Sequence, residues 1–274
     1  MEKVLIKDAN IVNEGSIVRG DVYIENGIII EVSQNLSVKS PDVHVFDAEG
    51  KHLLPGVIDD QVHFREPGLT HKASIATESA AAVAGGITSF IEMPNTIPQT
   101  TTIEKLEEKF SIAAETSYAN YSFMFGGTND NLSEIKKVDK KTVAGLKLFL
   151  GSSTGNMLVD NEDVIREIFK STDLLISVHC EDEATIKENL AIYTERYGDD
   201  IPINMHPIIR SADACYISSS RAIALAKETG ARLHVFHLST AKEMDLFDNK
   251  IPLKDKKITA EVCIHHLWFS DADY

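Results

Sequence analysis

The sequence has few cysteines, and their spacing does not indicate a disulfide-stabilised or cysteine-ligated protein. The three cysteines, Cys180, Cys215 and Cys263, are widely separated along the 274 residues. They are too few and too scattered for a disulfide framework or for the close cysteine pairs of a zinc knuckle. A reducing compartment is therefore the simplest interpretation.

Long hydrophobic runs and an excess of basic residues are also absent. No apolar run approaches the roughly 18 residues of a membrane span. The opening MEKVLIKDAN contains acids where a signal peptide would have a basic end and an apolar segment. The net charge of −15 opposes a nucleic-acid surface, which needs clustered lysines and arginines. We expect a cytoplasmic protein that binds neither membranes nor nucleic acid.

Residues 1–53 predict a small β unit. The segments VLIKDANIV, DVYIENGIIIEV and HVFDAEGKHLL are short and rich in β-branched residues, and Asn-Gly and Glu-Gly pairs lie at their turns. This pattern is typical of β-hairpins.

From Leu54 to Tyr274 the pattern changes to alternating strands and helices. Helical patterns cover residues 73–86, 103–116, 162–170, 182–198 and 211–230. Strands are predicted at 56–62, 87–92, 119–125, 143–149, 174–179, 232–237 and 257–262. Such alternation predicts an α/β fold with a parallel sheet of the TIM-type (β/α)8 barrel. The strands predicted here number one fewer than a closed barrel needs.

Polar side chains recur at the carboxyl ends of these predicted strands. Barrel enzymes place their chemistry at that end, so agreement across several strands indicates a site more strongly than any single residue. The residues at these positions are His63, Asn95, Lys147, His179, His237, His265 and His266.

Lys147 and the histidines near the strand ends also have ordinary structural explanations. Lys147 lies in the apolar segment AGLKLFLGSS, where burial would disfavour its charge, but its ammonium could instead extend to the barrel rim. A lone histidine at a strand end, such as His179 or His237, is more often a core residue than a ligand. Simple alternation puts His234 on the opposite face from His237, which favours a structural role for His234.

The stretch LPGVIDDQVHFREPGLTH, residues 54–71, resembles the first barrel strand of the dihydroorotases, in the cyclic amidase branch of the amidohydrolase superfamily. The family pattern there carries two metal-binding histidines and a substrate-binding arginine. The resemblance implies that His63 binds metal and that Arg65 binds substrate. One departure is Gln61, which occupies the position of the first histidine. Glutamine is a weaker ligand than imidazole, so one metal position should be weakened.

The resemblance extends along nearly the whole chain. It implies that Lys147 reacts with carbon dioxide and that the resulting carbamate bridges two metal ions. It also implies that His179, in VHCED, and His237, in HLST, bind metal, with zinc as the expected ion. A small N-terminal part of a β-sandwich is expected beside the barrel.

The resemblance also implies which residues recognise the substrate. Arg65 and Asn95, the latter in EMPNT, match the family residues that hold the carboxylate of dihydroorotate. Without the resemblance, Arg65 would more often be a surface ion-pair partner of Glu66. His265 and His266, in EVCIHHLWFSD, either contact substrate or cap the strand, and the second role is favoured.

The resemblance implies a dihydroorotase, which catalyses the zinc-dependent reversible hydrolysis of (S)-dihydroorotate to N-carbamoyl-L-aspartate in de novo pyrimidine (UMP) biosynthesis. The family's catalytic aspartate, within a DHAP segment, would lie beyond Tyr274, so no catalytic residue is predicted in this chain. We therefore expect the chain to be part of a longer enzyme.

Two other functions remain open. A hydantoinase or allantoinase is disfavoured by Arg65, because their substrates lack the carboxylate. A non-catalytic dihydroorotase-like subunit that partners aspartate transcarbamoylase is favoured by Gln61 and the missing aspartate. A homodimer is also compatible with the resemblance.

Overall fold

The computed structural model describes residues 2–151 and 157–274. The chain divides into two units, Met1–Val57 and Ile58–Tyr274. Within the described ranges, no helix combines the length and apolar composition that crossing a membrane requires.

The first unit contains a five-stranded sheet. Its strands are β1 (Lys3–Asn13), β2 (Ser16–Glu25), β3 (Ile28–Ser33), β4 (Val43–Asp47) and β5 (His52–Leu53). The order is β3-β2-β1-β4, and β5 also pairs with β1. Between β2 and β3, Asn26 and Gly27 have φ of 52° and 78°. Positive φ at both central residues is what a type I′ hairpin turn requires, so this Asn-Gly pair forms the predicted kind of hairpin.

The second sheet has seven strands in sequential order. They are β6 (Val57–Val62), β7 (Ile87–Glu92), β8 (Asn120–Gly126), β9 (Gly145–Phe149), β10 (Ile176–His179), β11 (Leu233–Val235) and β12 (Ile258–Ala260). Neighbouring strands from β7 to β12 are parallel. Each predicted strand is present within a few residues of its expected bounds, and the α/β barrel-type fold is confirmed.

Within the described residues, helices lie between the strands of this sheet, and one follows its last strand. They are α1 (Ile75–Ala84), α2 (Ile103–Thr116), α3 (Leu132–Ile135), α4 (Glu162–Ser171), α5 (Glu183–Tyr197), α6 (His206–Ile209), α7 (Ala212–Thr229), α8 (Ala241–Met244) and α9 (Ile264–Trp268). The long helices α1, α2, α4, α5 and α7 are those that the sequence predicts. Each begins after a capping side chain, for example Ser211 Oγ, which accepts from the backbone N–H of Ala214 before α7. The other four helices span about one turn, too short to show a helical period.

The parallel sheet separates an apolar face from a polar face. Lys147, Ser177 and His234 are adjacent in register on β9, β10 and β11. The residues that alternate with them belong to the hydrophobic core: Leu146, Leu148, Ile176, Val178, Leu233 and Val235. Because successive side chains of a strand point to opposite faces, the polar row lies on the face away from this core. That face is where the candidate site is built.

Candidate metal and substrate site

A cavity of about 1130 Å³ lies at the carboxyl ends of the parallel strands. Polar groups from separate strands and from the segments that follow them line it. Among its lining residues are Gln61, His63, Arg65, Asn95, Lys147, His179, His237, His265 and His266. The structure therefore brings together every residue that the sequence nominates for metal or substrate binding.

Lys147 is fully buried at the bottom of this site. Its side chain has no exposed surface, and its Nζ atom has no hydrogen-bond partner among the described residues. The Nζ atom lies 4.2 Å from the ring centroid of Phe236 and 4.8 Å from that of Phe149. Burial lowers the pKa of Lys147 to about 7. The alternative of a lysine extended to the solvent-exposed rim is wrong, and an appreciable fraction of this amine is neutral near pH 7.

His179 and His237 point ring nitrogens at each other. The distance from His179 Nδ1 to His237 Nε2 is 3.2 Å. Two nitrogens bound to one tetrahedral zinc at about 2.0–2.1 Å would be separated by about 3.3–3.4 Å. Burial and the nearby Lys147 lower the pKa of His237 to about 2, which keeps its imidazole in the neutral form that binds metals. The pair has the spacing that one zinc ion requires, and His237 has the neutral ring that can bind it.

His63 lies beside the substituted position Gln61. The Gln61 amide nitrogen is 3.0 Å from His63 Nε2, while His63 Nδ1 is buried without a hydrogen-bond partner in the described part of the chain. Burial, followed by the charges of Arg65 and Lys147, lowers the pKa of His63 to about 3. A neutral imidazole with an unpartnered nitrogen fits a metal ligand.

Arg65 lies in a left-handed backbone conformation, with φ of 68°. Its backbone N–H donates to Glu92 Oε1 at 3.2 Å. The loop that follows needs glycine at position 68, because φ there is 82° and an added Cβ would lie 1.9 Å from the carbonyl oxygen of Ile97. Glu66 Oε2 accepts from the backbone N–H of Ile75 at 2.8 Å, so its carboxylate caps α1. The loop thus places Arg65 at the cavity.

Comparison with known proteins identifies the family. The sequence profile described as dihydro-orotase-like matches residues 50–243. The chain belongs to the dihydroorotase-like family. A dihydroorotase of Carboxydothermus hydrogenoformans is 38% identical across 98% of this chain and 61% of its own length. For a dihydroorotase of Methanosarcina mazei the identity is 33%, across 100% of this chain and 60% of the relative.

Other cyclic amidases are also similar to this member of the dihydroorotase-like family. An allantoinase of Deinococcus radiodurans is 30% identical over 98% of this chain and 60% of its own. The solved structure of an L-hydantoinase from Arthrobacter aurescens superposes with a TM-score of 0.87 at 27% identity, covering 96% of this chain and 58% of that one. The chain therefore spans about three fifths of the relatives that it matches.

The sequence interpretation missed an acidic residue that contacts a candidate ligand. Glu181 Oε2 lies 2.7 Å from His179 Nε2, and Glu181 Oε1 accepts from Arg210 Nε at 2.7 Å. Burial alone would raise the pKa of Glu181, but the hydrogen bonds from His179 and Arg210 outweigh burial and lower it to about 2. The motif VHCED could have pointed to Glu181, since it follows the histidine closely. No local pattern points to Arg210.

The sequence interpretation also missed a buried ion pair, whose carboxylate accepts from the backbone N–H of Arg65. The side chains of Lys109 and Glu92 form an ion pair with 0% and 1% of their surfaces exposed. Lys109 Nζ also donates to the backbone oxygen of Met93 at 2.8 Å. Lys109 lies on the buried stripe of α2 with Leu106 and Ala113, and this helical spacing is a signal that the sequence contains.

The expectation that His234 lies on the other face from His237 assumed unbroken alternation. His237 has φ of 41°, so the strand geometry ends before it, and His234 occupies the same polar row as Lys147. His234 Nδ1 is 2.8 Å from Thr259 Oγ1, and its Nε2 is 3.3 Å from Glu261 Oε2. The face assigned to His234 was therefore wrong, although its hydrogen bonds are those of a structural residue.

His265 and His266 lie on the one-turn helix α9. Their ring centroids are 4.2 Å apart, and both rings line the cavity. Burial lowers the pKa of His266. Their position at the cavity is compatible with either role that the sequence left open.

Proposed function

We propose that this chain contributes the metal site and the substrate-carboxylate site of a zinc-dependent dihydroorotase. The reaction is the reversible hydrolysis of (S)-dihydroorotate to N-carbamoyl-L-aspartate, a step of pyrimidine synthesis. The observation that carries the proposal is Lys147, a fully buried amine without a hydrogen-bond partner in the described ranges, in the same cavity as His179 and His237. A buried amine in this state needs a chemical role to offset its cost.

The metal ligands in this proposal are Lys147 as its carbamate, His179, His237 and His63. The set of donor atoms suits a borderline-soft divalent ion such as zinc. It comprises Lys147 Nζ and His63 Nδ1, which have no hydrogen-bond partner among the residues that the structure describes, and two imidazole nitrogens 3.2 Å apart. When bound, the metal supplies Lewis-acid polarisation of the substrate carbonyl and a water of lowered pKa.

Carbamate formation uses the neutral fraction of Lys147. The amine lone pair forms a bond to the carbon of carbon dioxide, one C=O electron pair moves to oxygen, and the nitrogen releases one proton. The product is a carbamate anion. The buried amine of Lys147 thereby becomes a ligand with negatively charged oxygen donors. The lowered pKa of Lys147, about 7, makes the reactive form available near neutral pH.

Arg65 and Asn95 hold the substrate carboxylate in this proposal. A guanidinium matches a planar carboxylate with two parallel hydrogen bonds, and an amide adds a further donor. Both residues line the same cavity as Lys147, so a carboxylate held there places the ring amide of the substrate near the metal ligands. Hydantoin and allantoin have no such carboxylate.

The test is a comparison of three cyclic amides with purified, zinc-loaded full-length protein. We expect hydrolysis of dihydroorotate with a kcat/KM at least about a hundredfold above that for a 5-substituted hydantoin or for allantoin. Removal of zinc with a chelator should abolish the activity, and added zinc should restore it. A preference for allantoin or hydantoin would overturn the substrate assignment while leaving the metal site intact.

Gln61 favours a second candidate function. A non-catalytic dihydroorotase-like subunit would keep the fold and lose metal ligands, and its partner would be aspartate transcarbamoylase. This candidate predicts no hydrolysis of any of the three amides and co-purification with the transcarbamoylase.

For the proposed dihydroorotase we propose a cytoplasmic location and assembly as a homodimer.

A further inference from the structure

Glu181 connects the candidate ligand His179 to an arginine from a distant part of the chain. Only 5% of the surface of Glu181 is exposed. Its Oε2 atom lies 2.7 Å from His179 Nε2, and Arg210 donates from Nε to Oε1 at 2.7 Å and from Nη2 to Oε2. Arg210 therefore binds both carboxylate oxygens, in the fork geometry that guanidinium and carboxylate groups prefer.

This arrangement determines which nitrogen of His179 carries a proton. A carboxylate paired with arginine is an acceptor only, so His179 Nε2 must donate to it. In a neutral imidazole the other nitrogen, Nδ1, then has a free lone pair. That Nδ1 is the atom 3.2 Å from His237 Nε2, on the side where the two histidines converge.

The backbone around Glu181 is held by the same part of the chain that supplies Arg210. Arg210 lies between α6 and α7, directly after the last residue of α6. The backbone N–H of Asp182 donates to the backbone oxygen of Ala214, in the first turn of α7, at 3.0 Å. Residues 210–214, which lead into α7, thus hold both the carboxylate and the segment that carries it. A histidine whose outer ring nitrogen is held by an anchored carboxylate loses little freedom when it binds a metal.

We propose that Glu181 and Arg210 form a positioning pair that holds His179 in the tautomer with Nδ1 free and directs that nitrogen to the metal shared with His237. The inference rests on the proposed metal site and adds the residues that orient one ligand. Neither residue of the pair is assigned a contact with reacting atoms.

The test measures zinc affinity and the His179 tautomer in the purified full-length protein. Glu181→Gln keeps the size of the side chain but removes the acceptor-only group. Arg210→Lys keeps the positive charge but loses the second parallel hydrogen bond. The matched control is Glu228→Gln, which removes a carboxylate from the exposed ion pair between Arg166 and Glu228. Zinc affinity is measured by chelator competition, and the tautomer by long-range ¹H–¹⁵N NMR of the metal-free protein.

We expect Glu181→Gln to weaken zinc binding about 10- to 100-fold and to shift His179 away from the tautomer protonated at Nε2. Arg210→Lys should give a smaller loss in the same direction, and Glu228→Gln should bind zinc within about twofold of the wild type. Should Glu181→Gln not fold, as judged by circular dichroism, Arg210→Lys supplies the comparison. Wild-type zinc affinity and an unchanged tautomer in the folded variant would overturn the proposal. Because neither readout uses substrate, failure of the dihydroorotate assay leaves this result interpretable.

Discussion

The side-chain amide of Gln61 lies 3.0 Å from Nε2 of His63, in the cavity that also contains Lys147, His179 and His237. A neutral amide thus lies beside His63, at the position where the resemblance implies another imidazole. The Lys147, His179 and His237 group has no comparable substitution. If the proposed ligands hold two ions, the two positions should therefore differ in affinity.

The first prediction follows from this asymmetry. Titration of zinc into chelator-treated full-length protein should give one tight equivalent and a second that is weak or undetectable. Gln61→His should strengthen the second step by about tenfold or more, because imidazole is the better zinc ligand. Isothermal titration calorimetry measures both steps. Two equally tight equivalents in the unmodified protein would show that Gln61 replaces the histidine fully.

The second prediction concerns substrate choice. Arg65→Ala should reduce kcat/KM for dihydroorotate far more than for an uncharged cyclic amide, because only dihydroorotate has the carboxylate that Arg65 is proposed to hold. Loss of a desolvated charged contact corresponds to about 2–5 kcal/mol. Arg196→Ala, in the last turn of α5, is the control. Equal losses on both substrates would instead indicate a folding role for Arg65.

The third prediction concerns the buried pair of Glu92 and Lys109. Lys109→Met should lower the free energy of unfolding by about 3–5 kcal/mol, because it leaves the Glu92 carboxylate buried without its cation. The double variant with Glu92→Gln should recover part of that loss. Urea denaturation of the wild type, Lys109→Met and the double variant checks this, and a double variant that is less stable than Lys109→Met would contradict it.

Lys109→Met should also weaken the binding of substrate by Arg65, since Glu92 accepts from the backbone N–H of Arg65.

The fourth prediction is a pH dependence of stability in the metal-free protein. The pKa of Lys147 is about 7 in the folded state against an ordinary value of 10.5, so between these values the unfolded chain binds a proton that the folded chain does not. Stability therefore rises with pH across this window, by at most about 1.4 kcal/mol per pH unit from this group. Lys147→Met should lack this contribution. Urea denaturation at pH 7.5 and 9.5 compares the two proteins, and equal pH slopes would contradict the prediction.

Much of the barrel could be predicted because its strands and long helices have regular periods. The site residues lie where strands end, so their positions on the chain predicted that they would meet around one cavity. Alternation failed at His237, where a positive φ ends the strand geometry and leaves His234 in the row of Lys147. Arg210 is separated from Glu181 by 29 positions, and no periodic pattern spans that distance. Contacts made by loops are set by tertiary packing rather than by local sequence.

The proposed function depends on a metal ion held by Lys147 together with His179 and His237. The most direct measurement is the zinc affinity of the full-length protein and of Lys147→Ala in bicarbonate-containing buffer, with Lys227→Ala, an exposed residue of α7, as control. We predict that Lys147→Ala loses the tight zinc equivalent, that added bicarbonate does not restore it, and that Lys227→Ala binds zinc as the wild type does. A Lys147→Ala protein that folds and retains the tight zinc equivalent would show that Lys147 is not a ligand of this metal ion.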